Sequence, residues 1–387
     1  MIIEIIGKFF DNHSLSIINR NIAIRLMNND SVELLITPLD TYDPVHKVDK
    51  NTIKKLKELN NKEASDTPDI QVRHCYPPVW TWPVHEKTKV IFIQPWEFLK
   101  APFEWQYKFE TFADALIVPS NYEADVFKLG GLNPSNLFVV PNGYDENIFN
   151  TEDTNNNHPS VNKDKFNFIY VGNPQWRKGL DILINVWGKA FKKYDNAHLI
   201  IKDTPRIYGK NNILSEIIKM QYKSGCAGIT YLDDDMSDLE MAELFKSCDI
   251  VAHPYRAEGF GMHVQEAIAC GCVPIIPDQG PTNDFVPEGA GIKFKTNKEA
   301  IDITNGQIFA TKPGDAMTLM SSHTFTNEPD GQSVEGALKY VYHHHDKKEL
   351  FKCISNAELN TWDSVVDKYM EVFLNVGQRE KANRFRY

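Results

Sequence analysis

Two carboxylates, two cations and a glycine-rich turn are the residues of this chain best suited to chemistry. Glu258 and Glu266 bracket the run Gly259-Phe260-Gly261-Met262-His263-Val264-Gln265. Glu258 follows a predicted strand, Asp249–Ala252, and so lies at its carboxyl end. Gly259 and Gly261 have no side chains, which lets a ligand approach the backbone. Their amides, with those of Phe260 and Met262, lead into a predicted helix N-terminus, where unpaired N–H groups and partial positive charge suit a phosphate. Glu266 sits about one turn inside that helix and could accept two hydrogen bonds from a diol such as a ribose. Arg177-Lys178-Gly179 occupies the corresponding place after another predicted strand, Phe168–Val171. Two cations there can hold a diphosphate, Arg bidentately and Lys as a point charge. They matter most when charge builds on a leaving group. An ordinary strand–loop–helix with surface acids and a solvated basic turn would use the same residue types. Both glycines, the preceding strands and the following Ala267-Ile-Ala-Cys-Gly-Cys-Val-Pro274 favour chemistry over that plainer reading.

Other candidates are weaker. Asp233-Asp234-Asp235 could hold a divalent metal on a diphosphate, but it directly precedes Ser237-Asp-Leu-Glu240, a capping box whose helix N-terminus welcomes acids. No metal and no cofactor is expected. His343-His344-His345 are adjacent, so on a helix they point in different directions and read as a solvated face. Trp80, Trp82, Trp96, Trp105 and Tyr107 crowd the stretch Tyr76–Phe112. Flat rings stack on sugar C–H surfaces and also fill cores, and the sequence does not sort them. Lys50, Lys54, Lys55, Lys57 and Lys62 flank Ile53, Leu56 and Leu59, an amphipathic basic helix that could rest on an anionic membrane or simply face water.

The elements that position these residues alternate. Strands are predicted at Ile2–Ile6, Val32–Ile36, Ile70–Arg73, Lys89–Ile93, Ala115–Val118 and Leu137–Val140. A helix is predicted after the polar turn Asp11–Ser16, on Ile17, Ile18, Ile22, Ile24 and Leu26. Another opens at the capping box Ser120-Asn-Tyr-Glu123 and stops at Gly130-Gly131. The polar, Asn-rich segment Thr151–Lys165 is the best linker. Alternation then restarts: strands at Phe168–Val171, His198–Ile201, Thr230–Leu232, Asp249–Ala252 and Val273–Ile276, with helices over Leu180–Phe191, Ile213–Tyr222, from Ser237 to about Ser247, and Met262–Cys270. Two runs of β-α units joined by a polar linker imply two doubly wound parallel-sheet domains. Ligands bind outside the carboxyl ends of such strands, and two such edges facing each other make a cleft.

The bulk numbers agree. A chain of 387 residues exceeds what one core of roughly 250–300 residues holds. A net charge of −10 argues against nucleic acid as a bulk partner. No run of apolar residues reaches the ~18–20 needed to span a bilayer, and Met1–Gly7 lacks the basic start of a signal peptide. Six scattered cysteines with no Cys-x-x-Cys pair read as buried thiols in a reducing cytosol. A cytoplasmic chain is expected, with peripheral contact at the inner face of the membrane left open.

Together these residues resemble the GT-B glycosyltransferases of family 4, a group described as retaining and metal-independent. Glu258-Gly-Phe-Gly and Glu266-Ala-Ile-Ala-Cys-Gly are similar to the family's Glu-x7-Glu signature, and Arg177-Lys178-Gly179 to its diphosphate clamp. Val118-Pro-Ser120 and Val140-Pro-Asn-Gly143 resemble the end of its first domain. Asn19-Arg20, Gln94-Pro-Trp-Glu-Phe98, Lys202-Asp203 and Gln279-Gly-Pro-Thr-Asn-Asp-Phe285 resemble a narrower bacterial branch. The resemblance implies an α/β fold of two Rossmann-like domains facing a cleft. The first spans 1–155 on the acceptor side and the second 156–355 on the donor side, and a helix in 356–387 crosses back to the first. It implies transfer of a hexose or N-acetylhexosamine from a nucleotide-diphosphate sugar to a hydroxyl of a glycan, lipid-linked sugar or protein. Glu258, Arg177 and Lys178 take the catalytic roles. Glu266, Gly259, Phe260, Gly261, Met262 and His263 bind the donor, with His13 and Ser14 approaching the phosphates. Gln94, Trp96 and Glu97 fall on the acceptor side. A nucleotide-sugar epimerase or phosphorylase on the same fold, and a non-catalytic nucleotide-sugar-binding partner, are the alternatives.

Overall fold

The computed structural model describes residues 1–132, 134–152, 158–209, 212–302, 323–344 and 352–379. The chain divides into two units, Met1–Trp96 with Lys100–Gly143 and Asn360–Tyr387, and Glu97–Leu99 with Tyr144–Leu359.

The first unit is built on strands β1 (Ile2–Gly7), β2 (Glu33–Pro38), β3 (Ile70–His74), β4 (Lys89–Ile93), β5 (Ala115–Val118) and β6 (Leu137–Val139). All pair in parallel, in the order β2-β1-β3-β4-β5-β6. Helices α1 (Ser14–Leu26), α2 (Lys50–Asn60), α3 (Phe103–Phe112) and α4 (Asn121–Leu129) connect them. This is the predicted doubly wound half. The C-terminal helix, Trp362–Gly377, returns to this unit. It buries Val365, Tyr369, Phe373 and Val376, and Asp363 pairs with Arg25 on α1 at 2.5 Å. Gly143 leaves room for it, since a Cβ there would lie 2.7 Å from the Trp362 backbone.

Asn19 and Arg20 hold the loop after β1. Asn19 Nδ2 donates to the carbonyls of Lys8 at 2.9 Å and His74 at 3.2 Å. Arg20 donates to the carbonyls of Phe9, at 2.9 Å, and Asp11. Burial pushes His74 down to about 3, so its ring is neutral, and its Nδ1–H donates to Asn19 Oδ1 at 2.8 Å. The amides of Phe9 and Phe10 donate to the Asp40 carboxylate at 2.8 Å each. Backbone and amide crowd so closely that a Cβ on Gly7 would sit 2.4 Å from both Asn19 Nδ2 and the His74 carbonyl.

The second unit repeats the plan. Its strands are β7 (Phe166–Val171), β8 (Ala197–Lys202), β9 (Gly228–Leu232), β10 (Ile250–Ala252), β11 (Val273–Pro277) and β12 (Ile292–Phe294), parallel in the order β12-β11-β10-β7-β8-β9. Helices α5 (Leu180–Ala190), α6 (Pro205–Tyr208), α7 (Ile213–Ser224), α8 (Asp238–Lys246), α9 (Met262–Ala269) and α10 (Gly331–His343) flank them. Leu180, Leu183, Ile184 and Trp187 are buried on α5 at the predicted spacing, and α8 opens with the full Ser237–Glu240 capping box. An antiparallel pair, β13 (Thr296–Asp302) with β14 (His323–Pro329), was not legible. Its residues are mostly polar and lack an apolar alternation.

Several expectations are corrected. The contact boundary falls between Gly143 and Tyr144, ahead of the polar segment Thr151–Lys165, because Phe149, Tyr144 and Ile148 pack into the second unit's core. Residues 153–157 of that segment, and His345, lie outside the described residues. At Ser120 only half the predicted capping box forms. The hydroxyl accepts from the Glu123 amide at 3.1 Å, while the Glu123 carboxylate accepts from the Trp96 amide at 3.0 Å. On α2, Ile53, Leu56 and Leu59 are all buried, so its apolar stripe faces the protein interior. No helix among the described residues is long and apolar enough to cross a membrane.

Gly7→Ala should destabilise the chain by about 1–3 kcal/mol, since neither the Asn19 amide nor the His74 carbonyl can retreat without losing a buried hydrogen bond. Urea unfolding measures this, and an unchanged midpoint would contradict the packing described.

Candidate functional site

Adjacent strands β7 and β10 end in two loops that are fastened to each other through their backbones. The loop after β7 makes a single tight turn at Trp176–Lys178, and Gly179 then takes φ +72° to open α5. A Cβ on Gly179 would lie 1.8 Å from the Pro254 carbonyl, so glycine is required twice, by conformation and by space. From the other loop, the amides of Arg256 and Ala257 donate to the Arg177 carbonyl at 2.7 and 3.2 Å. Arg256 locks the join with its side chain. It grips Asp181 through two bonds of 2.8 Å, reaches Glu328 on β14 at 2.6 Å and the Trp176 carbonyl at 2.6 Å. Its guanidinium lies over the Trp176 ring, 4.5 Å from the centroid.

This fastening brings the predicted catalytic residues together. Glu258 is buried, and its Oε2 meets Lys178 Nζ, His253 Nε2 at 3.2 Å and Arg177 at 3.9 Å. Its Oε1 accepts from the Gly259 amide at 3.2 Å. Burial acts to raise the Glu258 pKa, but Lys178, the His253 bond and Arg177 outweigh it and hold the carboxyl well below its usual range. Burial pulls Lys178 down, with Glu258 opposing. Arg177 also pairs with Glu97 at 3.1 Å and donates to the Ala257 carbonyl at 3.3 Å. Glu97, expected on the acceptor side, therefore sits on the cationic pair.

Gly261 takes φ +93° as the N-cap of α9, and a Cβ there would meet Thr282 at 2.8 Å. The N–H groups of Met262 and His263 belong to the first helical turn, which has no intrahelical acceptor for them. The buried Phe260 ring packs tilted against Phe285 with centroids 5.0 Å apart, so only its backbone faces outward chemistry. The His263 ring meets His253 edge-on at 4.1 Å, and burial, then the neighbouring His253 and Lys178, hold it well below the usual histidine range. Glu266 is half-buried on α9, and its carboxylate forms no hydrogen bond or ion pair among the described residues. Burial, then Asp238, raise it to about 8.

The remaining candidates separate. His13 caps α1, its Nδ1 accepting from the Leu15 amide at 3.2 Å, and Ser14 beside it is exposed. Gln94 is buried, its amide donating to the Pro95 carbonyl at 3.1 Å. Trp96 is corrected outright. It is fully buried, edge-on to Trp105 at 5.0 Å, with its indole N–H on the Lys100 carbonyl at 2.8 Å. No face is left for a sugar. Most of the aromatic stretch is likewise core, with Trp80, Phe92 and Phe109 packed together, while Tyr107 is exposed. Of the three aspartates, Asp235 is buried and faces Arg206 at 3.7 Å. Sequence reasoning missed His253, and its position five residues before Glu258 at a strand end was the available signal. It also missed Tyr170, whose buried ring flanks His253 at 5.9 Å.

Residues 151–308 match the family model described as Glycosyl transferases group 1. The D-inositol 3-phosphate glycosyltransferase of Mycobacterium bovis is 30% identical over 163 residues, 41% of this chain and 33% of that protein. The chain spans between 33% and 48% of the length of the first curated relatives it matches. Among solved structures, HepE of Anabaena in complex with UDP-glucose aligns over 97% of this chain and 100% of its own, with a TM-score of 0.63 at 15% identity. A glycosyltransferase from Rickettsia africae aligns over 98% and 99%, with a TM-score of 0.67 at 11% identity. At these identities the likeness shows the fold, the GT-B class of two Rossmann-like units.

In the unfolded chain a Glu266 carboxyl ionises near 4.5, and in the fold only near 8. Between those values folding takes up a proton, so each rise in pH costs stability. Glu266→Gln removes that cost. The melting temperature of the variant should match the wild type near pH 5 and exceed it progressively up to about pH 8. A gap that did not widen with pH would contradict the raised pKa of this carboxyl.

Proposed function

We propose that this chain is a retaining, metal-independent glycosyltransferase of the family 4 type. It moves a sugar from a nucleoside-diphosphate donor to a hydroxyl of a glycan, lipid-linked sugar or protein. One observation carries the reading: the fastened loops hold Arg177 and Lys178 against Glu258 at the carboxyl edge of adjacent strands, beside the N-terminus of α9. Cations, an ionised carboxylate and first-turn amides converge there, as a reaction that builds negative charge on a diphosphate and positive charge on a sugar ring requires. The match of residues 151–308 to the glycosyl transferases group 1 model supports it.

In this mechanism the acceptor oxygen attacks the anomeric carbon on the face the diphosphate leaves. The carbon–oxygen bond to the leaving phosphate breaks, the new glycosidic bond forms, and the acceptor proton passes to a leaving-phosphate oxygen. Arg177 and Lys178 stabilise the departing diphosphate. Glu258, ionised throughout, lies where the ring develops positive character. Glu266 accepts from the ribose hydroxyls. The described cysteines are free thiols, which fits a reducing compartment such as the cytosol.

Arg177→Ala should lower kcat/KM by roughly 10²–10³, or about 2–4 kcal/mol of transition-state stabilisation. Wild-type rates on a confirmed donor would refute the clamp. Addition of EDTA should leave the rate unchanged. Strict loss of activity would instead assign a metal to Asp233–Asp235.

A further inference from the structure

His253 follows β10 and is anchored there by its own amide, which donates to the Ile275 carbonyl at 3.0 Å. Its imidazole is fully buried. His263 closes one side at 4.1 Å, Tyr255 another at 5.1 Å and Tyr170 a third at 5.9 Å. Nε2 faces Glu258 Oε2 at 3.2 Å. Nδ1 is buried with no hydrogen-bond partner among the described residues. These two facts set the proton. A neutral ring with hydrogen on Nε2 donates to the carboxylate and leaves only a lone pair at Nδ1. The other tautomer would turn a lone pair toward the carboxylate and bury an unpaired N–H, and the imidazolium would bury one as well. Burial accordingly holds this histidine down at about 4, against the pull of the Glu258 bond.

Glu258 is thus held in two ways. Lys178 and Arg177 supply charge, and His253 and the Gly259 amide supply neutral donors, one to each carboxylate oxygen. Under the reading proposed above, on which this inference rests, the two cations also serve the diphosphate. Their hydrogen bonds are then shared, and shared most when the leaving group carries its full charge. His253 cannot follow, because its ring is enclosed and uncharged. We propose that His253 is a positioning residue that keeps the Glu258 carboxylate aimed at the donor sugar while Arg177 and Lys178 are engaged with the diphosphate. Its contribution belongs to the transition state more than to donor capture, because its ring is fully buried and acts through its hydrogen bond to Glu258.

The test compares His253→Gln, whose amide N–H can still reach Glu258, with His253→Leu, whose side chain cannot donate. Donor hydrolysis or transfer gives kcat and KM, and thermal unfolding gives stability. In His253→Leu, kcat should fall about 10- to 100-fold with the donor KM within about threefold of wild type. His253→Gln should recover most of the rate. Equal impairment of both variants, a change confined to KM, or a rate loss that tracks the melting temperature would overturn the proposal. A second readout does not depend on turnover. In ¹⁵N-histidine spectra His253 should carry its proton on Nε2 from pH 5 to 8, and its hydrogen bond should persist with UDP added. An Nδ1–H tautomer, or loss of that bond with UDP, would overturn the positioning role. A wild-type protein that neither transfers nor hydrolyses any nucleotide sugar would sink the glycosyltransferase reading instead, and the spectra would still decide the role of His253 beside Glu258.

Discussion

The backbone join between the loops after β7 and β10 is the constraint on which the second unit's chemistry depends. Two amides, of Arg256 and Ala257, converge on the carbonyl of Arg177, and Gly179 packs directly on Pro254. Without that join Arg177 and Lys178 would be surface cations on one loop and Glu258 a surface acid on another. With it, Arg177 and Glu258 are buried and Lys178 nearly so, all within a few ångströms. Burying charge is costly unless it is paired and hydrogen-bonded. The site meets that condition by distributing donors over both oxygens of Glu258 and by locking the join with Arg256, itself satisfied by Asp181, Glu328 and Trp176.

The electrostatic consequences differ from residue to residue along α9 and its approach. Glu258 stays ionised because cations outweigh its burial. Eight residues later Glu266 has burial and Asp238 against it and no compensating partner among the described residues, so its proton is held to about pH 8. His253 and His263 stay neutral between them. A short stretch of chain therefore carries one permanent anion, one carboxyl poised near neutrality and two uncharged rings. That division of roles suits a ligand with a phosphate end and a polyhydroxylated end, the chemistry of a nucleotide sugar.

Most of the frame was legible in the sequence. Apolar strand runs, helical spacing such as Leu180, Leu183, Ile184 and Trp187, and glycines at strand ends are local signals, and local signals predicted both parallel sheets. That Glu258 and Arg177 lie along one edge was legible for the same reason, since both follow parallel strands; that they pair with each other was not. What was lost depended on packing between distant segments. Trp96 stands among rings that could stack on a sugar or fill a core, and only Trp105 and Lys100 closing around it decide for the core. The sequence leaves the apolar stripe of α2 without a partner until Ile53, Leu56 and Leu59 turn inward. The pair β13 and β14 is polar, so no alternation announces it, yet it delivers Glu328 to Arg256. His253 carries no motif, and only its burial against Glu258 gives it a role.

The most direct test of the central claim is a thermal-shift panel of nucleotide sugars and free nucleoside diphosphates on the wild-type chain. A donor present at 100 times its Kd should add about 2.7 kcal/mol of stability and raise the melting midpoint measurably, with the free diphosphate giving a shift of the same sign. If no nucleotide sugar and no nucleoside diphosphate moved the midpoint, the claim that Arg177, Lys178, Glu258 and the first turn of α9 form a nucleotide-sugar site would be contradicted.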